Sequence, residues 1–237
     1  MSATSRDRRL AIFLSFSGKG GVERMVQRLA GGIAARGIVV DLLAVRAGSL
    51  NRDEVPAGVN VIDMGTSHSQ LAVLALASYL RTWRPDALLA AKDRAIRTAV
   101  LARALARTRT RLVGRLGTTL SAALEGRGAA ARWSRYLPMR LLYRHVDAIV
   151  AVSDGVAEDT RRIAGLPASR LHVVRNPVIG PDLAARAAEP SPHPWLGGDT
   201  PVILGAGRLT RQKDFPTLMR AFSRLRAQRA ARLIILG

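Results

Sequence analysis

Short apolar runs alternate with longer amphipathic stretches along most of this chain, and that alternation constrains the fold more than any other feature. "LAIFLSF" (10–16), "IVVDLLAV" (38–45), "VNVIDM" (59–64), the run after Pro85, "RLVGRL" (111–116), "DAIVAVS" (147–153) and "RLHVVRN" (170–176) read as strands. Between them lie stretches with helical spacing. Val22, Met25, Val26, Leu29 and Ile33 recur on one face of 21–37, and Gly37 stops that helix. Further helices are expected over 68–82, 93–108, within "AARWSRYLPMRLLYRHV", and after Ser153, which stands where an N-cap belongs. Strands that are apolar on both faces, alternating with amphipathic helices, predict an α/β fold: a Rossmann-like parallel sheet flanked by helices. Ligands in such sheets bind at the carboxyl ends of the strands.

From Pro177 to Thr200 prolines cluster and large apolar residues thin out, which predicts a linker over 179–199. The strand–helix–strand pattern then restarts with "TPVILGAG", "DFPTLMRAFSRLRAQ" and "ARLIILG". The predicted organisation is a domain over 8–178, the linker, and at 200–237 the start of a second α/β domain. One such unit is too small to bury its own core, so an incomplete second domain is expected.

The glycine cluster in "FLSFSGKGGVERM" follows the first strand and opens the first helix, a layout suited to phosphate. A Walker A loop ends in Gly-Lys followed by Ser or Thr, because the lysine holds the β and γ phosphates and the hydroxyl holds Mg²⁺. Glu23, Arg24 and Met25 stand in those places, which removes the ATPase reading. A dinucleotide fingerprint fits Gly18 and Gly20 but meets Glu23 at its third glycine, and Asp41 lies within a strand run rather than at its end. What remains is a close-approach turn at Gly18, Gly20 and Gly21, with Glu23 in the first helical turn. Glu23 is suited there either to helix-dipole stabilisation or to hydrogen bonds with sugar hydroxyls.

The chain has no cysteine, so disulfides and thiolate metal sites are excluded and the reducing cytoplasm is compatible. His68, His145, His172 and His193 show no ligand spacing, and no metal is expected. No apolar run approaches the ~20 residues that span a bilayer. Lysine and arginine total 37 against 17 acids, a net charge of +20 carried almost wholly by arginine. Such an excess suits nucleic acid, anionic lipid or anionic ligands, although a chain rich in Ala, Arg and Gly acquires part of it from composition. The 4% aromatic content is poor for base stacking, so no specific nucleic-acid partner is expected. Residues 127–144 interleave five arginines with Trp133, Tyr136 and Tyr143. This segment, with Arg94, Arg97, Arg103 and Arg107, reads either as an anionic-membrane face or as an amphipathic helix packed on the sheet.

Three segments in order resemble glycosyltransferase family 4. "GKGGVERMVQRLAGGIAARGIVVDLL" is similar to that family's first loop and helix. "YRHVDAIVAVSDGVAEDTRRIAGLPASRLHVVRNPV" is similar to the end of its first domain, and "ILGAGRLTRQKDFPTLMRAF" to the start of its donor domain. The resemblance implies the GT-B fold and a retaining hexosyl-type transfer from a nucleotide-sugar donor to a glycan or lipid-linked acceptor, with no metal. It further implies a cytoplasmic protein, peripheral at the inner face of the plasma membrane. Gly207, Arg208 and Lys213 would hold the donor phosphates, and Gly18, Gly20, Gly21 and Glu23 the acceptor or phosphate loop. Many members carry a histidine at the position of Gly117, beside Thr118, on the acceptor side. The family's paired glutamates late in the donor domain have no counterpart before Gly237, so no catalytic residue is assigned and no turnover by this chain is expected.

Overall fold

The computed structural model describes residues 8–16, 20–180, 183–191 and 193–237. These divide into two compact units, one up to Val178 and one from Ile179.

The first unit begins with β1 (Arg9–Ser15), α1 (Gly21–Ala34), β2 (Val39–Val45), β3 (Val59–Asp63) and α2 (Val73–Trp83). It continues through β4 (Ala87–Ala91), α3 (Asp93–Ala106), β5 (Arg111–Leu116), α4 (Leu120–Ala123) and α5 (Ala129–Tyr143). It closes with β6 (Ala148–Ala151), α6 (Asp154–Ala164) and β7 (Leu171–Val173). All seven strands are parallel, in the order β3-β2-β1-β4-β5-β6-β7. Ile12 of β1 lies between Leu42 of β2 and Leu89 of β4.

Both faces of the sheet are covered, as the near-continuous apolar strands require. Ala11 and Phe13 join residues of α2, α3, α5 and α6 in one core. Ile12 and Leu14, pointing the other way, join Met25, Val26 and Ala30 of α1 in a second. Ser153 caps α6 by accepting a hydrogen bond from the Val156 amide. Gly37, just past α1, has φ +78°.

The second unit contains α7 (Leu183–Ala188), β8 (Val202–Ala206), α8 (Phe215–Arg226) and β9 (Arg232–Leu236). β8 and β9 pair in parallel as a two-stranded sheet. The short helix α7 falls inside the proline-rich stretch expected to be a linker.

Candidate functional site

The strand order reverses between β1 and β4: from β1 the chain winds outward first through β2 and β3, and from β4 through β5 to β7. In open parallel sheets the crevice at such a reversal, outside the carboxyl ends of the strands, is where ligands bind. A cavity of about 530 Å³ lies there. Ser15 ends β1 beneath it, Ala91 ends β4 with Lys92 just beyond, and Arg115 and Leu116 end β5 with Gly117 and Thr118 just beyond. Arg46, Asp93, Arg94 and Arg135 add charged side chains to its lining, and His68 stands among them.

Lys92 is held in a backbone conformation that side chains rarely adopt, φ +78° and ψ +149°. Its amide donates to the Arg115 carbonyl at 3.1 Å and its carbonyl accepts from Ile96, which opens α3. Its ammonium donates to the Ser15 carbonyl at 3.2 Å. The residue is thus tied to β1, α3 and β5 at once. Strain of this kind costs about 1–3 kcal/mol and persists only where surrounding contacts fix it.

Arg115 is 5% exposed. Its guanidinium donates to the Asn176 side-chain oxygen at 2.7 Å, and no described carboxylate lies within ion-pair distance. Burial pushes its pKa down. Gly117 makes room for it: a Cβ there would stand 2.7 Å from the Arg115 Nη1. The space that a side chain at 117 would fill is taken by the Arg115 guanidinium.

Sequence reasoning placed Gly117 and Thr118 at a site, and both line the cavity. It missed Lys92 and Arg115. The signals were present: Arg115 is a charge inside an otherwise apolar strand run, and Lys92 stands immediately after a buried strand. Gly20 precedes α1 as its N-cap with no side-chain cap, and beside Gly21 the space is open. Gly18 lies outside the described residues. Glu23 is 4% exposed and faces a separate crevice bounded by Phe16, Gln27 and Asn51. Its carboxylate is 3.7 Å from the Lys92 ammonium. Glu23 is not itself among the residues lining the cavity, but it pairs with Lys92, which is.

In the second unit, β8 leads into the loop containing Gly207, Arg208 and Lys213. Gly207 has φ +149°, and its missing Cβ leaves space for the Lys213 stem, whose Cε would lie 3.1 Å from it. The Gly207 amide donates to the Leu236 carbonyl at 2.9 Å, fixing the loop on β9. Arg208 and Lys213 are exposed, and among the described residues neither side chain has a hydrogen bond or ion pair.

Asp41 sits in mid-strand, 1% exposed, and accepts from Arg9 at 2.5 Å, Tyr79 at 2.5 Å and Asn60 at 2.9 Å. Its carboxylate is consumed by the scaffold, which removes the dinucleotide reading. Of the arginines considered for a lipid face, Arg94, Arg107, Arg127, Arg132, Arg140 and Arg144 are exposed, and Arg97, Arg103 and Arg135 are half-buried. Arg97 pairs with Asp93, and Arg103 reaches Asp147 and the His145 carbonyl. Arg94 and Arg135 line the cavity. Met139 and Tyr143 of α5 are buried in the core, so this helix packs on the sheet with Trp133 left outside. Glu158 lies in the second turn of α6 and pairs with Arg161. Among the described residues no helix is long and apolar enough to cross a membrane, and no cluster of potential ligands could hold a metal ion.

The profile of Glycosyltransferase Family 4 matches residues 19–179. Curated protein sequences gave no significant match. Among solved structures, the lipopolysaccharide outer core galactosyltransferase WaaB in its apo form is 17% identical, with a TM-score of 0.63 over 96% of this chain and 60% of that one. Anabaena HepE in complex with UDP is 18% identical, with a TM-score of 0.60 over 97% of this chain and 69% of that one. Sucrose-phosphate synthase from Thermosynechococcus elongatus is 14% identical, with a TM-score of 0.69 over 97% of this chain and 62% of that one. At these identities the likeness establishes the α/β fold of the GT-B type. The chain spans about 60–69% of the length of these structures.

Proposed function

The chain belongs to glycosyltransferase family 4, and from that premise we propose that it supplies the acceptor-binding domain and the first part of the donor-binding domain of a retaining sugar transferase. The observation that carries this reading is the coincidence of the family match with a cavity at the strand reversal. The donor is a nucleotide-sugar; that HepE was solved with UDP favours a uridine diphosphate. In the reaction the bond between the sugar's anomeric carbon and the diphosphate oxygen breaks. A bond forms from that carbon to an acceptor hydroxyl oxygen, with retained configuration, and the hydroxyl proton departs.

The leaving diphosphate gathers negative charge as the bond breaks, and fixed cations facing it lower the barrier. Arg208 and Lys213 suit that role because no internal partner occupies them, and Gly207 lets a phosphate approach the backbone. The cavity at Arg115, Gly117 and Thr118 is the acceptor site. Titration with UDP-glucose, ATP and a short DNA duplex tests the reading. UDP-glucose should bind, and the double variant Arg208→Gln, Lys213→Gln should weaken it at least tenfold. UDP-glucose binding that ignores both substitutions, or a duplex that outcompetes it, would overturn the assignment.

A further inference from the structure

We infer that the acceptor held in the cavity at the β1–β4 reversal carries an anionic group, a phosphate or a carboxylate, bound by Arg115 and Lys92. This rests on the reading of the cavity as the acceptor site of a glycosyltransferase.

The charge of the lining is lopsided. Glu23, which is not part of the lining, stands 3.7 Å from the Lys92 ammonium; within the lining Arg46, Lys92, Arg94, Arg115 and Arg135 face one carboxylate, Asp93. That carboxylate is already engaged by Arg97 at 2.7 Å and by the Tyr143 hydroxyl at 3.0 Å. A neutral sugar's hydroxyls donate as well as accept, and for the bonds they donate this lining offers one carboxylate, Asp93, and one amide, Gln70, against five cationic side chains.

Arg115 sharpens the point. A guanidinium that is 5% exposed and bonded only to a neutral amide is a buried charge without a countercharge among the described residues. Such burial costs several kcal/mol unless an anion compensates it. The planar fork of arginine fits carboxylate and phosphate oxygens in pairs. The fold makes room for that side chain at Gly117, and holds Lys92 beside it in a strained backbone conformation. Burying Arg115 and straining Lys92 both cost stability, and both bring positive charge to the cavity. A volume of about 530 Å³ accommodates a phosphorylated or acidic sugar, with Ser67, Gln70 and Thr118 available for its hydroxyls.

The test is a binding panel on the full chain: glucose, glucose 6-phosphate, glucuronate, inorganic phosphate, UDP, and dihexanoyl phosphatidylinositol as a lipid-headgroup probe. Each is titrated against the unmodified chain, Arg115→Gln and Lys92→Met, with melting curves to confirm folding. Lys92 is half-exposed, so its variant serves if the buried substitution fails to fold. At least one anionic ligand that carries a sugar or inositol ring should bind tenfold or more tightly than glucose. The variants should erase that advantage while leaving glucose within twofold. Preference between glucose 6-phosphate and the inositol lipid separates a soluble acceptor from a membrane-borne one.

Equal binding of glucose and glucose 6-phosphate, both weakened by the variants, would overturn the anionic class and leave the acceptor site standing. Inorganic phosphate binding as tightly as every ring-bearing anion would overturn the inference as well. If only UDP binding responds to the variants, the cavity belongs to the donor and the acceptor reading falls with it.

Discussion

Replacing Asp41 by alanine should be among the most damaging single changes in the first unit. The carboxylate is buried in mid-strand and accepts three hydrogen bonds, from Arg9 on β1, Asn60 on β3 and Tyr79 on α2. Alanine would leave the Tyr79 hydroxyl and the Asn60 amide without this acceptor, and the Arg9 guanidinium without its countercharge. Arg9 is a quarter exposed and recovers water, which limits the loss. Breaking a buried pair costs about 3–5 kcal/mol, against a total stability of about 5–15 kcal/mol. For a chain of this size that corresponds to a melting temperature lower by about 6–20 °C. Tyr79→Phe removes one hydrogen bond to a charged acceptor and should cost about 1.5–3 kcal/mol. The double variant should be less destabilised than the sum, by about 0.5–3 kcal/mol, because the two groups share one bond. Urea unfolding of the four proteins measures all three quantities. A loss below about 1 kcal/mol for Asp41→Ala, or strict additivity, would refute the claim that this network holds β1, β2, β3 and α2 together.

Four further outcomes follow from the same geometry. Lys92→Gly should be more stable than Lys92→Ala by about 1–2 kcal/mol, because only glycine relieves the positive φ and its entropic cost is smaller than the strain; equal melting temperatures would remove the strain. Gly114→Ala should cost about 1–3 kcal/mol, since its Cβ would stand 2.7 Å from Ile149 Cδ1 and 2.8 Å from Ile96 Cδ1 in the core. Gly117→Ala meets only the end of a flexible arginine, so it should change stability little but weaken anion binding at least threefold in a phosphate titration. Burial, then the neighbouring Asp41 and Asp93, push the Tyr79 and Tyr143 hydroxyl pKa values up. Their contribution is therefore complete below the unfolded value of about 10 and is lost as pH rises beyond it, when the unfolded chain releases protons that the folded chain retains. Melting curves from pH 8 to 11.5 should fall less steeply above pH 10 for Tyr79→Phe than for the unmodified chain.

The strands and helices were legible because each obeys a period that one sequence displays. β5 runs Arg111–Leu116, where the apolar run stands, and Ser153 caps α6 where a capping residue was expected. The site was less legible. Gly117 and Thr118 were found through resemblance, but the reason for a glycine at 117 is spatial: it clears Arg115, a relation that no periodicity encodes. Glu23 stands in the first turn of α1, as its place after the glycines suggests, but its pairing with Lys92 across the fold is not displayed by any period. The pairing of Arg103 was equally hidden, since Asp147 becomes its neighbour only through the packing of α3 against the start of β6, whereas Arg97 and Asp93 stand four residues apart on one helix and their pairing can be read from spacing.

The excess of arginine can be divided by what each residue costs the fold. Arg81, Arg84, Arg107, Arg109 and Arg111 gather at the amino ends of β4 and β5, all exposed, where water and salt screen them. Such residues are nearly neutral for stability, so a compositional bias toward arginine suffices to explain them. Arg115 belongs to another class. It stands on the same strand as Arg111, but at the carboxyl end and buried, where the same bias would be opposed by desolvation. Its neighbours are arranged around it: a glycine that vacates its volume, an asparagine that accepts one of its protons, and a strained lysine that adds to its charge. A change of composition would spread arginines over the surface, and it would not produce a buried guanidinium whose surroundings make space for it. The positive field at the strand reversal is therefore a property of the site, and the net charge of +20 is a poor guide to it.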